Sequence, residues 1–238
     1  MSKQFVLLHG AWHGGWCWQG VKESLEAKGH TCLAPTMPGH NPGDSRDNIT
    51  YDSYVNAVTD LLKEQPGKVI LAGHSSAGHM MQCAAPLAAD KIEKLVFINA
   101  FILPHDHSQF DLVPPEVAQG MTAAAQASPD MTVPIDEEFV RNMLMQDAAK
   151  EQQDELISHL APQPLALFTT KINTKPFSEL DTPRVVIFCK DDQSLPPGAY
   201  LGMAQGLGDF KLIEVDGSHE TLFINPPAVA DALLQAAE

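Results

Sequence analysis

Apolar positions along the chain fall in short β-branched or aliphatic runs, separated by longer stretches with helical spacing. The runs are Phe5 to Leu8, Thr31 to Ala34, Lys68 to Leu71, Lys94 to Asn99, Arg184 to Cys189 and Lys211 to Val215. Such runs read as strands covered on both faces, because a half-exposed strand would alternate polar and apolar residues instead. Between the first two, Trp18, Val21 and Leu25 recur at helical spacing, and Gly29 stands where a C-terminal cap belongs. A second helix fits Tyr54 to Glu64, with Val55, Val58, Leu61 and Leu62 on one side and Pro66-Gly67 as its stop. A third fits Ser76 to Leu87. This alternation predicts an α/β fold with a mostly parallel six-stranded sheet and helices on both faces.

The rhythm breaks between Leu103 and Asp181, where prolines, methionines and weakly periodic pieces such as Glu137 to Asp147 replace it. The pattern predicts a core formed by 1–103 and 182–238, with 104–181 as a small helical cap insertion in one structural unit. Met121, Met131, Met143 and Met145 fall in the insertion. Thioether side chains are flexible enough to cover a pocket for apolar ligands, or simply to fill a loose core.

Length and charge narrow the function classes. A chain of 238 residues suits one α/β domain with an insertion. A formal net charge of −15, with scattered Lys and Arg, repels phosphate backbones and anionic lipid, so neither nucleic acid nor membrane is an expected partner. At the N-terminus only Phe5 to Leu8 are continuously apolar before His9, too short for a signal-peptide core or a membrane span. The expected location is cytoplasmic. Cys17, Cys32, Cys83 and Cys189 lie far apart without a CxxC pair, which suits neither a zinc site nor a disulfide framework.

Candidate chemistry begins in VILAGHSSAGHMM, residues 69 to 81. With a buried strand before it and a helix after it, Ser75 falls on the turn, and Gly73, Ala77 and Gly78 let strand and helix approach closely. The pattern is the nucleophile elbow G-x-S-x-G with Ala77 in the last place. A serine hydroxyl is a poor nucleophile until a base removes its proton, so a histidine and an acid are needed downstream. KDDQSLP follows the fifth run and DGSHETLF the sixth, each just past a strand end. Parallel strands would bring Ser75, Asp192 and His219 to one sheet edge, with His219 as general base and Asp192 fixing its tautomer. Asp191 is adjacent to Asp192, but D-x-x-L-P from Asp192 to Pro196 matches the acid loop seen in folds with a nucleophile elbow. HGAWHGGWCW, residues 9 to 18, follows the first strand, and its small residues free backbone amides. Those of Ala11 and Ser76 are the expected oxyanion hole.

Together, FVLLHGAWHGGWCW, VILAGHSSAG, NAFILP, PLALF, DDQSLP and GSHETLF give a chain that resembles one group of α/β-hydrolases over nearly its whole length. That group comprises plant methylesterases, salicylate-binding esterases and hydroxynitrile lyases, with similar bacterial esterases. The resemblance implies the triad Ser75, Asp192 and His219 under a small helical cap, beside a narrow apolar pocket. The lyases of the group carry a threonine after the first-strand histidine and a lysine after the catalytic one, where this chain has Gly10 and Glu220. An acid at Glu220 would repel developing cyanide, so hydrolysis is favoured. Thr36-Met37 stands where relatives often have Asp-Leu, and Ala77 adds a methyl at the elbow.

The expected function is therefore a serine carboxylesterase acting on a small ester through an acyl-enzyme, without a cofactor or metal. Gly10, Phe101, Leu103, Phe168, Met121 and Met145 are the candidate substrate-binding residues. A hydroxynitrile lyase, a ligand-binding receptor with negligible turnover and a cofactor-free dioxygenase are the alternatives on this fold. Haloalkane dehalogenase and epoxide hydrolase chemistry needs an aspartate where Ser75 stands. His105-Asp106-His107 reads as a solvated turn rather than a metal site. The partner expected is a small-molecule ester, with oligomeric state open between monomer and homodimer.

Overall fold

The computed structural model describes residues 2–238. Six strands form one sheet: β1 (Gln4–Leu8), β2 (Thr31–Leu33), β3 (Val69–His74), β4 (Ile92–Ile98), β7 (Arg184–Cys189) and β8 (Lys211–Val215). Two short strands, β5 (Thr132–Val133) and β6 (Gln163–Pro164), pair antiparallel outside it. The sheet order is β2-β1-β3-β4-β7-β8, and every neighbouring pair is parallel.

The strand sequences explain the double-sided core. Phe5 and Leu7 of β1 and Ile70 and Ala72 of β3 face one apolar layer, shared with helix α1 (Gln19–Ala27) and the C-terminal helix Pro226–Ala237. Val6, Leu8, Val69 and Leu71 face the other, shared with α2 (Tyr51–Glu64) and α3 (Ala77–Ala84). Alternate side chains thus point to opposite faces and meet helices on both, so β1 and β3 read as unbroken apolar runs.

Several boundaries differ from the sequence expectation for local reasons. β3 extends to His74 because Gly73 and His74 pair with Phe97 and Ile98 of β4, so sheet pairing overrides their weak strand preference. Helix α2 starts at Tyr51, since the Thr50 and Ser53 side chains cap each other's backbone amides. Helix α3 ends at Ala84 and continues as a tighter 3-10 turn over Ala85–Lys91, where Pro86 has no amide to continue the α pattern. The Glu137 to Asp147 piece is three α-helical residues, Glu137–Phe139, and then a wide turn, Val140–Leu144, closed by the Met145 amide on the Val140 carbonyl at 2.9 Å.

Between β4 and β7 lie α4 (Pro115–Ala127), the β5–β6 pair and the helices Lys150–His159, Ala166–Thr169 and Lys175–Ser178. Val140, Leu144, Met145 and Leu156 form a small core within this segment. It is tied to the loop after β1 through Trp12, whose indole donates to the Val133 carbonyl at 2.9 Å and whose carbonyl accepts from Ala161 at 2.9 Å. Among the described residues no helix is long and apolar enough to cross a membrane, and all four cysteines are unpaired.

Candidate active site

The strand order reverses its direction of growth between β1 and β3. In open parallel sheets the loops leaving such strands splay apart and leave a crevice at their carboxyl ends. Ala11 follows β1 and Ser75 follows β3. Ser75 is held at φ 55°, a left-handed conformation uncommon for a residue with a side chain. Its amide donates to Ile98 at 3.1 Å, and its carbonyl accepts from Gly78 at 3.1 Å and Phe101 at 3.0 Å. The turn is therefore determined from both sides. A Cβ on Gly78 would sit 2.5 Å from the Phe101 carbonyl oxygen, and one on Gly10 would sit 2.8 Å from the Ser75 Cβ. The Ala77 methyl is accommodated because Gly73 opposite has no side chain: a Cβ there would lie 3.0 Å from the Ala77 Cβ.

His219 and Asp192 converge on this turn from the loops after β8 and β7. His219 Nδ1 lies 2.6 Å from Asp192 Oδ2, and the two side chains are 5% and 1% exposed. Asp192 Oδ1 accepts from the Ser194 amide at 2.8 Å and its hydroxyl at 2.6 Å, while Asn99 Nδ2 donates to Oδ2. Burial would raise the Asp192 carboxyl, but the His219 charge and these hydrogen bonds hold it well below the usual carboxylate range. Burial likewise works against a charged His219, yet Asp192, and after it Glu220, raise the imidazole above its ordinary value. Asp191 is exposed and accepts from the Gly217 amide at 2.9 Å, without a hydrogen bond to His219 among the described residues. The Ser75 hydroxyl makes no hydrogen bond among the described residues, and neither do the amides of Ala11 and Ser76.

One cavity of about 460 Å³ is lined by Ala11, Ser75, Ser76 and His219, by His13 and Glu220 beside them, and by residues of the segment between β4 and β7 and of the loop after β7. Phe101, Phe168 and Met121 line it, as the sequence suggested. Leu103 and Met145 do not. Leu103 opens into a separate cleft behind the Ala199–Ala204 helix, and Met145 is fully buried in the small core with Leu144 and Leu156. Gly10 lies beneath Ser75 rather than on the wall, so its contribution is space for the turn. Of the other methionines between β4 and β7, Met131 and Met143 are exposed. The walls are instead aromatic: Phe110 stacks on Phe168 at 5.5 Å, and Trp12 lies 5.3 Å from Phe168.

Sequence reasoning left several supporting residues unassigned. Asn99 and Ser194 hold the Asp192 carboxylate: Asn99 Oδ1 also accepts from the Cys189 amide at 2.6 Å, and the Ser194 hydroxyl lies 2.9 Å from that of Tyr200. Asn99 and Ser194 sit inside NAFILP and DDQSLP, so position within those motifs was the available signal. His74 Nε2 donates to the His219 carbonyl at 3.0 Å, and burial, with the charge of His219, lowers its pKa to about 3. His9 Nε2 accepts from the Met37 amide at 2.9 Å, and the Thr36 hydroxyl accepts from the Gly15 amide at 2.9 Å. His105, Asp106 and His107 are exposed, and His107 Nδ1 bonds only the His105 carbonyl, 2.9 Å away.

Comparison with known proteins gives a consistent picture. Residues 5–232 match the family described as the alpha/beta hydrolase family. Methylesterase 2 of Arabidopsis thaliana is 29% identical over 257 residues, covering 100% of this chain and 97% of that protein. A carbendazim hydrolyzing esterase of a Nocardioides species is 28% identical, covering 96% of this chain and 97% of its own. The structure of an extracellular alpha/beta-hydrolase from a Paenibacillus species, described as sharing structural and functional homology with tobacco salicylic acid binding protein 2, superposes with a TM-score of 0.93 at 28% identity. It covers 98% of each chain.

Proposed function

Because this chain belongs to the alpha/beta hydrolase family, we propose that it is a serine carboxylesterase that cleaves a small apolar ester through an acyl-enzyme. The observation that carries the reading is the buried His219–Asp192 pair at 2.6 Å on the same cavity as a serine strained at φ 55°. In this reading the Ser75 hydroxyl attacks the ester carbonyl while His219 Nε2 takes its proton. The oxyanion is held by the two free amides of Ala11 and Ser76. Collapse expels the alkoxide, which takes the proton back from His219. Water, deprotonated by the same imidazole, then attacks the acyl carbonyl and releases the acid and Ser75. All steps conserve protons between serine, imidazole, alcohol and acid, and none calls for a cofactor.

The aromatic walls and a volume within the range of small-ligand sites favour an ester with an aromatic or aliphatic acyl group over a charged one. Relatives named as methylesterases support a small alcohol such as methanol as the leaving group. The lack of a side chain at Gly10 supports hydrolysis over cyanohydrin cleavage, since even a Cβ there would sit 2.8 Å from the Ser75 Cβ. A cytoplasmic site of action belongs to the same proposal, supported by four unpaired cysteines and tested by fractionating the source cells.

The deciding experiment is hydrolysis of p-nitrophenyl acetate at neutral pH by the wild-type protein and by Ser75→Ala. The expected result is loss of turnover on the order of 10,000-fold or more in the variant. Equal rates would remove Ser75 from the chemistry and sink the proposal. Methyl esters of aromatic and aliphatic acids, and mandelonitrile for cyanide release, then test the substrate; cyanide above the uncatalysed rate would favour the lyase.

A further inference from the structure

The proposed reaction leaves one buried ion pair unused. Glu220 follows the base directly in sequence, is 0% exposed, and faces His13 Nε2 at 3.4 Å. Neither carboxylate oxygen receives a well-formed hydrogen bond from the chain. His13 is 4% exposed, and its Nδ1 lies 2.7 Å from the Ala11 carbonyl, so this nitrogen carries a proton. Its second nitrogen can be protonated as well only because the carboxylate stands opposite. A buried pair of this kind seldom stabilises a fold more than apolar groups of the same volume would. Its placement, however, is specific: one end holds the residue bearing an oxyanion amide and the other adjoins the general base.

We propose that Glu220 and His13 are positioning residues for the ester hydrolysis inferred above, joining the loop of Ala11 to the turn of His219 through one buried charge pair. This inference rests on that reading of the site. The Glu220 end is anchored by its amide on the Leu144 carbonyl at 3.1 Å, and the His219 carbonyl by His74. The charged and titratable groups around the pair come from every neighbouring loop: His9 just after β1, His40 after β2, His74 at the end of β3, Asp192 after β7, and His219 itself. Cys17, Cys189 and Tyr200 are buried within range, with Asp147 further off. Among these, Glu220 and Asp192 are the two buried carboxylates, and Glu220 is the one that no hydroxyl or amide supports.

The electrostatic consequences agree with the geometry. Burial alone would lower His13, but the Glu220 charge raises it above its ordinary value. Burial alone would raise Glu220, but His13, and after it His74 and His219, bring it to about 2. A carboxylate beside His219 stabilises the imidazolium that forms as Ser75 attacks, and the cation on His13 keeps that carboxylate in place.

The test compares wild type, Glu220→Gln, Glu220→Asp, His13→Gln and the double variant, with Ser75→Ala as the control for the reaction itself. Glu220→Gln is expected to lower kcat roughly 10- to 100-fold with KM within about twofold, the pattern of a misplaced reacting group rather than of lost binding. The acid limb of its kcat/KM profile moves to lower pH, because removing a negative charge lowers the His219 pKa. Glu220→Asp keeps the limb near the wild-type position. The double variant loses no more than Glu220→Gln alone, since the two residues act as a unit. An unchanged kcat with an unmoved limb, or strictly additive losses, overturns the proposal. If Glu220→Gln does not fold, Glu220→Asp and His13→Gln carry the kinetic comparison. Imidazole titration by NMR needs no turnover: His13 titrating at the same pH in wild type and Glu220→Gln also overturns it. Full activity in Ser75→Ala would instead reject the esterase reading, leaving the titration to judge the pair separately.

Discussion

At the scale of single residues the acid is the sharpest test. Asp191 and Asp192 are indistinguishable by type, yet only Asp192 is desolvated and bonded to His219 Nδ1. Asp192→Asn should keep the fold and lower kcat by about 10,000-fold, because an amide favours the wrong imidazole tautomer. Asp191→Asn should stay near wild type; steady-state kinetics of both variants check this, and the reverse outcome would reassign the acid. The pH dependence follows from His219. In the proposed reaction His219 accepts a proton only when neutral, and its pKa is raised, so kcat/KM should climb with pH through a value above about 6.5. The same shift has the opposite sign for stability. A histidine whose folded pKa is raised contributes stability that is complete below about 6.5 and lost as pH rises through the folded value. Activity should therefore increase over a window in which part of the conformational stability declines, which denaturant melts at successive pH values would show. Ser75, Asp192 and His219 were readable in the sequence because each stands in a distinctive string just past a strand. His13 and Glu220 were not, since each takes its place from the other, 207 residues away, and Asn99, though inside NAFILP, takes its role from Asp192, 93 residues away.

At the scale of elements the strand-turn-helix unit around Ser75 sets the tolerance of the site. Helix α3 approaches the chain after β4 so closely that a single methyl at Gly78 meets the Phe101 carbonyl oxygen at 2.5 Å. Backbone on both sides gives little room to relax. Gly78→Ala should cost about 1–3 kcal/mol of stability and displace the Ser76 amide, measured by denaturant unfolding beside kcat. A variant as stable and active as wild type would contradict the close approach. The sheet strands were legible because their apolar runs face two helical layers, but their ends were not: Gly73 is strand because it pairs with Leu8 of β1 and Phe97 of β4, and His74 because it pairs with Ile98 of β4. The segment from 104 to 181 was the least legible. Its pieces are short and weakly periodic, and after the wide turn at Val140–Leu144 the Met145 side chain packs into the small core with Leu144 and Leu156 instead of reaching the cavity.

At the scale of the whole molecule the net charge of −15 acts on every encounter. Such a field raises the barrier for anionic esters and leaves neutral ones untouched, and about 0.1 M salt screens it beyond roughly 10 Å. The ratio of kcat/KM for an anionic to a neutral p-nitrophenyl ester should therefore rise with ionic strength between about 10 and 200 mM. A flat ratio would mean that only the cavity walls select.

By itself the sequence determined the alternation of buried strands and amphipathic helices, the family, and which serine, acid and histidine stand at strand ends. These are local properties, written in the spacing of apolar residues and in short strings around turns. Only the tertiary structure decided which side chains line the cavity, which of two neighbouring aspartates meets His219, and that Glu220 is buried against His13. Those outcomes depend on how loops from four strands and the inserted segment converge, and convergence in space leaves no period along the chain.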